Sequence, residues 1–192
     1  IWQSVIFGQS ASKEKNTVVT HSDGSVEITA LEGGGKITGD HDGIAFYYTE
    51  LDATTENFQL SATIDVKAYA KTPHDGQESF GIVARDAIAE NLNSSVFASN
   101  IAAIGGYSGG TKLPNGIQLL ARTGVEAPDG TGSKGMQSVM LEEGSAIGTY
   151  QLALEKTNSG FTGKIMNGEQ ATIFEPNILT AQNGKMYVGF YT

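Results

Sequence analysis

From Phe58 to Ala68 apolar residues occupy every second position: Phe58, Leu60, Ala62, Ile64, Val66 and Ala68. The intervening residues are Gln59, Ser61, Thr63, Asp65 and Lys67. A period of two puts one face of the segment in a core and the other toward water, which a helix of period 3.6 cannot do. The segment therefore predicts a half-buried β-strand and an all-β chain. A second strand is predicted at Ser79–Arg85, after an Asp75-Gly76 turn.

The same reading places strands at Trp2–Phe7, Thr17–Thr20, Ser25–Ala30, Gly43–Thr49, Asn57–Tyr69, Val96–Ile104, Gly116–Arg122, Thr149–Lys156, Gly160–Met166, Gln170–Phe174 and Lys185–Tyr191. Turn dipeptides separate many of them, including Asp23-Gly24, Asp42-Gly43, Asp129-Gly130 and Asn183-Gly184. About a dozen short strands imply two packed antiparallel sheets, a β-sandwich of jelly-roll, concanavalin A-like type. One helical turn or two is expected at Asp86–Asn93, with Asp86 as N-cap. The longest irregular segment is Gly124–Lys134. The 192 residues read as one module with no linker or repeat.

Composition narrows the function. A net charge of −9 argues against nucleic acid, whose phosphates call for a basic face. The chain has no apolar run of membrane-spanning length, so membrane insertion is not expected. It has no cysteine, which is compatible with export from Gram-positive bacteria. It begins at Ile1 rather than Met, as a processed or excised module does, and its final strand pattern suggests more chain beyond Thr192.

Few motifs survive inspection. Gly106-Tyr107-Ser108-Gly109-Gly110 matches the G-x-S-x-G nucleophile elbow, but Thr111–Gly116 contains a proline and cannot supply the required helix. Asp40-His41-Asp42-Gly43 offers alternate oxygen ligands beside a glycine, so Asp40 and Asp42 are candidate ligands for a structural calcium ion. The alternative is a solvated turn. His21, His41 and His74 have no metal-ligand spacing. Glu78 and Asp86 lie about 26 Å apart along one strand at ~3.3 Å per residue, too far for paired glycosidase carboxylates.

The chain has two arginines, Arg85 and Arg122, each ending a run that starts Gly-Ile. Phe80, Ile82 and Ala84 form the apolar face of the first run, so Arg85 lies on the opposite face with Gly81 and Val83. Arg122 shares its face with Gln118 and Leu120. Outward guanidinium groups beside small residues could grip a carboxylate or sugar hydroxyls, and the alternative is a surface ion pair. Tyr47, Tyr107, Tyr187 and Tyr191 lie outside the apolar stripe and could stack on sugar rings. Trp2 reads as a packing residue. The expected site is thus an outward sheet face with Arg85, Arg122 and Gln118, rimmed by Tyr47, Tyr107 or Tyr187.

Several stretches carry a resemblance. They are Trp2–Ser10, Asp42–Thr49, Asn57–Thr63, Ser79–Asp86, Leu154–Phe161 and Tyr187–Tyr191. Together they resemble the jelly-roll accessory domain of large secreted pectate lyases and related polysaccharide-degrading enzymes of Gram-positive bacteria. Such domains are similar in architecture to laminin-G and concanavalin-like sandwiches. The resemblance implies an extracellular, non-catalytic module that binds a polysaccharide or oligosaccharide, or packs on the catalytic domain of the same parent chain. The acidic charge makes polygalacturonate an awkward ligand. Two alternatives stand beside this reading: a catalytic jelly-roll lyase or glycosidase, and a structural or adhesive module.

Overall fold

The computed structural model describes residues 1–39, 41–71, 78–89, 99–107, 116–127, 135–144 and 147–192. Among them are thirteen strands: β1 (Gln3–Gly8), β2 (Asn16–Thr20), β3 (Val26–Ala30), β4 (Gly43–Asp52), β5 (Phe58–Val66), β6 (Ser79–Arg85), β7 (Ile101–Tyr107), β8 (Gly116–Thr123), β9 (Gly135–Glu143), β10 (Gly148–Thr157), β11 (Gly160–Ile165), β12 (Gln170–Ile173) and β13 (Lys185–Tyr191). One 3₁₀ turn, Ile178–Thr180, precedes β13. All strand pairs are antiparallel. A seven-stranded sheet runs β1-β4-β13-β6-β7-β8-β9, a four-stranded sheet runs β12-β11-β10-β5, and β2-β3 form a separate ribbon. The all-β sandwich is as expected, and none of the described helices is long and apolar enough to cross a membrane.

The two larger sheets enclose the main core. Ile82, Ile104, Ile117 and Leu119 of the large sheet meet Leu152, Leu154 and Phe161 of the small one. Burying such a side chain contributes about 1.5–3 kcal/mol. Where β11 crosses the large sheet, a side chain at Gly163 would begin 3.1 Å from the terminal methyls of both Ile104 and Leu119. A glycine there lets the sheets approach closely.

β5 behaves as its alternation predicts: along Phe58–Ile64, half-buried and exposed residues take turns. The strands β6, β7 and β8 do not alternate, and nearly every residue in them is buried. The cause is a second core on the other face of the large sheet, built from Phe7, Ile44, Phe46, Val83, Ile101, Ala103 and Leu120. Ile37, Ala87, Ile88 and Ala89 contribute to its cover. The large sheet is thus covered on both faces, like the sheets of α/β proteins, but by loops instead of helices.

Two local expectations change. Residues Asp86–Ala89 form a bend and irregular chain instead of a helical turn, and residues 90–93 lie outside the described set. Strand β9 was not expected. It is a sheet edge with exposed residues scattered along it, including Gln137, Ser138 and Val139, so no apolar stripe announces it.

Candidate functional site

Register brings the two arginines together. Arg85 pairs with Ile101, and Ile101 pairs with Arg122, so the guanidinium-bearing residues occupy one row two strands apart. Tyr187 continues the row, opposite Arg85. The face assignment made from the sequence holds, but its solvent exposure does not. Arg85 and Arg122 are both 0% exposed, beneath the second core's cover.

Asp42 lies between them. Arg122 donates from Nη1 to Asp42 Oδ1 at 2.7 Å and from Nη2 to Oδ2 at 2.6 Å. Arg85 donates from Nη2 to the same Oδ2 at 2.6 Å. Backbone carbonyls take further donors: Arg85 Nε reaches Ala87 O at 2.7 Å, and Arg122 reaches Ser99 O at 2.7 Å and Thr38 O at 2.9 Å. Phe7 lies 4.9 Å from the Arg85 guanidinium, ring face toward the cation. The cluster pins the covering segments to the sheet. Burial acts to raise the Asp42 pKa, but the attraction and hydrogen bonds of Arg122 and Arg85 outweigh it and hold the carboxyl below its ordinary value.

A second buried carboxylate adjoins the first. Asp86 accepts from the backbone N–H of Asn100 at 2.9 Å, from its side-chain amide at 2.6 Å, and from Gln182 Nε2 at 3.0 Å. Burial nevertheless dominates and pushes its pKa up to about 6.

The expected ligand face is therefore corrected. Arg85, Arg122 and Gln118 are buried, and Tyr107 and Tyr187 on the same face are 5% and 9% exposed. Tyr107 receives a hydrogen bond from Tyr191 at 3.1 Å, and Tyr187 packs edge-on against Tyr48. These side chains hold a core together, and a sugar could reach them only if the cover were removed. Asp42 is equally unsuited to calcium, because two guanidinium groups occupy the positions a cation would need. Asp40 lies outside the described residues, as do Ser108–Gly110 and His74. Among the described residues, no group of three or more His, Asp or Glu could hold a metal ion.

Tyr47 is the exception. It points to the other face of the sheet, where the four-stranded sheet does not cover it. Its strand neighbours are Ser4 and Phe190. Trp2 lies across this pair: its ring is 5.1 Å from Tyr47 at 16° and 6.0 Å from Phe190 at 19°. The packing role expected of Trp2 is thus real, yet 40% of the residue remains exposed. The three aromatics line a broad cleft of ≈ 1780 Å³ between β5, the β2-β3 ribbon and the end of the large sheet. Alternation with Tyr191 assigns Phe190 to the core side, where it is partly buried, so no local pattern marks it as a site residue.

The ribbon wall is anchored at its base. Asn16 is buried, donates from Nδ2 to Gly34 O at 2.6 Å, and accepts from the Ser12 N–H at 2.9 Å. These bonds tie the start of β2 to the chain after β3.

Comparison with known proteins adds to this geometry. Residues 5–192 match the family model described as the pectate disaccharide-lyase N-terminal domain. The chain belongs to this family. Pectate lyase L of Thermoclostridium stercorarium is 59% identical over 197 residues, covering 99% of this chain and 16% of that relative. The pectate disaccharide-lyase of Dickeya chrysanthemi is 28% identical over 236 residues, covering 100% of this chain and 31% of that relative. This N-terminal domain therefore spans less than a third of either relative's length.

Proposed function

We propose that the chain is a non-catalytic, extracellular accessory module of a polysaccharide lyase, and that it binds glycan in the cleft headed by Trp2. The supporting observation is the stacked group Trp2–Tyr47–Phe190. A ring backed by two others is already ordered, so little side-chain freedom is lost when a sugar stacks on it. Shallow glycan sites commonly combine such a platform with a few polar anchors, and the exposed Ser61 and Thr63 of β5 line the same cleft. The relatives named as pectate lyases favour a polysaccharide as ligand and a catalytic domain in the same chain as partner.

The catalytic alternative is less favoured. A lyase calls for a base beside a charge-neutralising arginine at the substrate, and both arginines lie buried on the opposite face of the sheet.

The test is depletion from solution by insoluble plant cell-wall material. Wild type should be depleted, and Trp2→Ala and Tyr47→Ala should be retained in solution while keeping the wild-type circular dichroism spectrum. Equal depletion of all three proteins would place binding elsewhere.

A further inference from the structure

We propose that this cleft selects an uncharged stretch of glycan and rejects polygalacturonate. This rests on the reading that the cleft binds glycan, and it names the ligand class. The cleft is lined by five carboxylates, those of Asp23, Glu27, Glu32, Asp65 and Glu78. Against them stand three lysines, Lys36, Lys67 and Lys71. Of these, Lys71 lies 3.6 Å from Glu32. The two residues that could grip a uronate carboxylate in a bidentate fork are Arg85 and Arg122, and both serve Asp42 on the far side of the sheet. The chain as a whole carries a net charge of −9.

Polygalacturonate carries one carboxylate per sugar and is ionised at neutral pH. Such a chain would meet a lining whose net charge has its own sign, five carboxylates against three lysines, with no arginine to grip its carboxylates. The stacked rings at Trp2 offer what a neutral pyranose needs instead: a flat apolar surface for the C–H face of the ring. The module would then tether its lyase to neutral polysaccharide lying beside the acidic substrate. Binding and cleavage would involve different polymers, and the product of catalysis would not compete for the anchor.

Affinity electrophoresis of the 192-residue chain tests this, in native gels containing galactan, arabinan, xyloglucan or polygalacturonate. The expected result is retardation in at least one neutral gel, none in polygalacturonate at low or moderate salt, and a loss of at least about ten-fold in affinity for Trp2→Ala. Reversing two cleft charges in the double variant Asp65→Lys/Glu27→Lys should create salt-sensitive retardation by polygalacturonate. Retardation of wild type by polygalacturonate that Trp2→Ala abolishes would overturn the ligand class and leave glycan binding in place. Retardation by a neutral glycan that Trp2→Ala leaves intact would overturn the assignment to this cleft. No retardation in any gel would overturn glycan binding itself.

Discussion

Replacing Asp42 by Asn isolates the energetics of the buried cluster. The carboxylate accepts three charge-assisted hydrogen bonds, two from Arg122 and one from Arg85. An asparagine keeps one acceptor oxygen, but it turns an NH₂ group toward guanidinium donors and removes the negative charge that the two arginines share. Removing one partner of a buried pair typically costs about 3–5 kcal/mol, because the other charge is left uncompensated. Here two cations are left, so a loss of about 4–6 kcal/mol is expected. Domains of this kind are stable by about 5–15 kcal/mol in total, so the variant should be marginal or unfolded at 37 °C. Urea denaturation followed by tryptophan fluorescence would measure the loss, since Trp2 is the single tryptophan. Arg122→Met supplies the second arm of a double-mutant cycle. The double variant should be more stable than the summed single effects imply, by about 2 kcal/mol or more, because each change removes part of what the other disrupts. A loss under about 1 kcal/mol for Asp42→Asn would mean that water reaches the cluster, and the argument for a dry clamp would fail.

Other consequences can be measured on the same material. Asp86 has its pKa raised from 3.8 to about 6, so the folded state holds its proton more tightly than the unfolded state. Its contribution to stability is fully present below pH 3.8 and is lost as pH rises through about 6, a change of about 3 kcal/mol that denaturation of wild type against Asp86→Asn at several pH values would detect. Asp42 has the opposite sign: its lowered pKa gives stability that is present above pH 3.8 and lost as pH falls through the folded value. Gly163→Val should destabilise by about 1–3 kcal/mol through overpacking against Ile104 and Leu119, measured by thermal unfolding. Asn16→Ala should cost about 1–3 kcal/mol locally by leaving Gly34 O and Ser12 N–H without this partner, and faster hydrogen exchange confined to the β2-β3 ribbon would report it.

The fold was legible wherever one face is wet. β5 alternates because water lies on one side of it, and a period of two suffices to find such a strand. The arginines show the limit of that reasoning. Parity put Arg85 and Arg122 on the face opposite the main core, which is correct, but parity says nothing about whether the second face is open. The relevant clue lay in the same strands: Gly81-Ile82-Val83-Ala84 and Ile101-Ala102-Ala103-Ile104 are apolar or small on both sides, the pattern of doubly covered strands. An arginine at the end of such a run is buried and needs a carboxylate. Asp42, which the sequence suggested as a calcium ligand, is that carboxylate. No local rule connects positions 42, 85 and 122: the pairing of β6, β7 and β8 aligns the two arginines, and the order β4-β13-β6 brings Asp42, just before β4, within reach of them. Tyr47 was identifiable as an aromatic off the core stripe. Its partnership with Trp2 and Phe190 was not, because it depends on where the smaller sheet stops.

The clamp also fixes the chemical reactivity of the native protein. Its only two arginines are sealed from solvent, so a dicarbonyl reagent directed at guanidinium groups should leave the folded chain unmodified. Labelling then requires opening of the second core, and its rate in mild denaturant becomes a clock for that opening. Labelling of the exposed lysines, such as Lys71 and Lys185, by contrast samples the surface of the folded chain. The ratio of the two reactions separates loosening of the loop cover from surface motion, with no engineered probe.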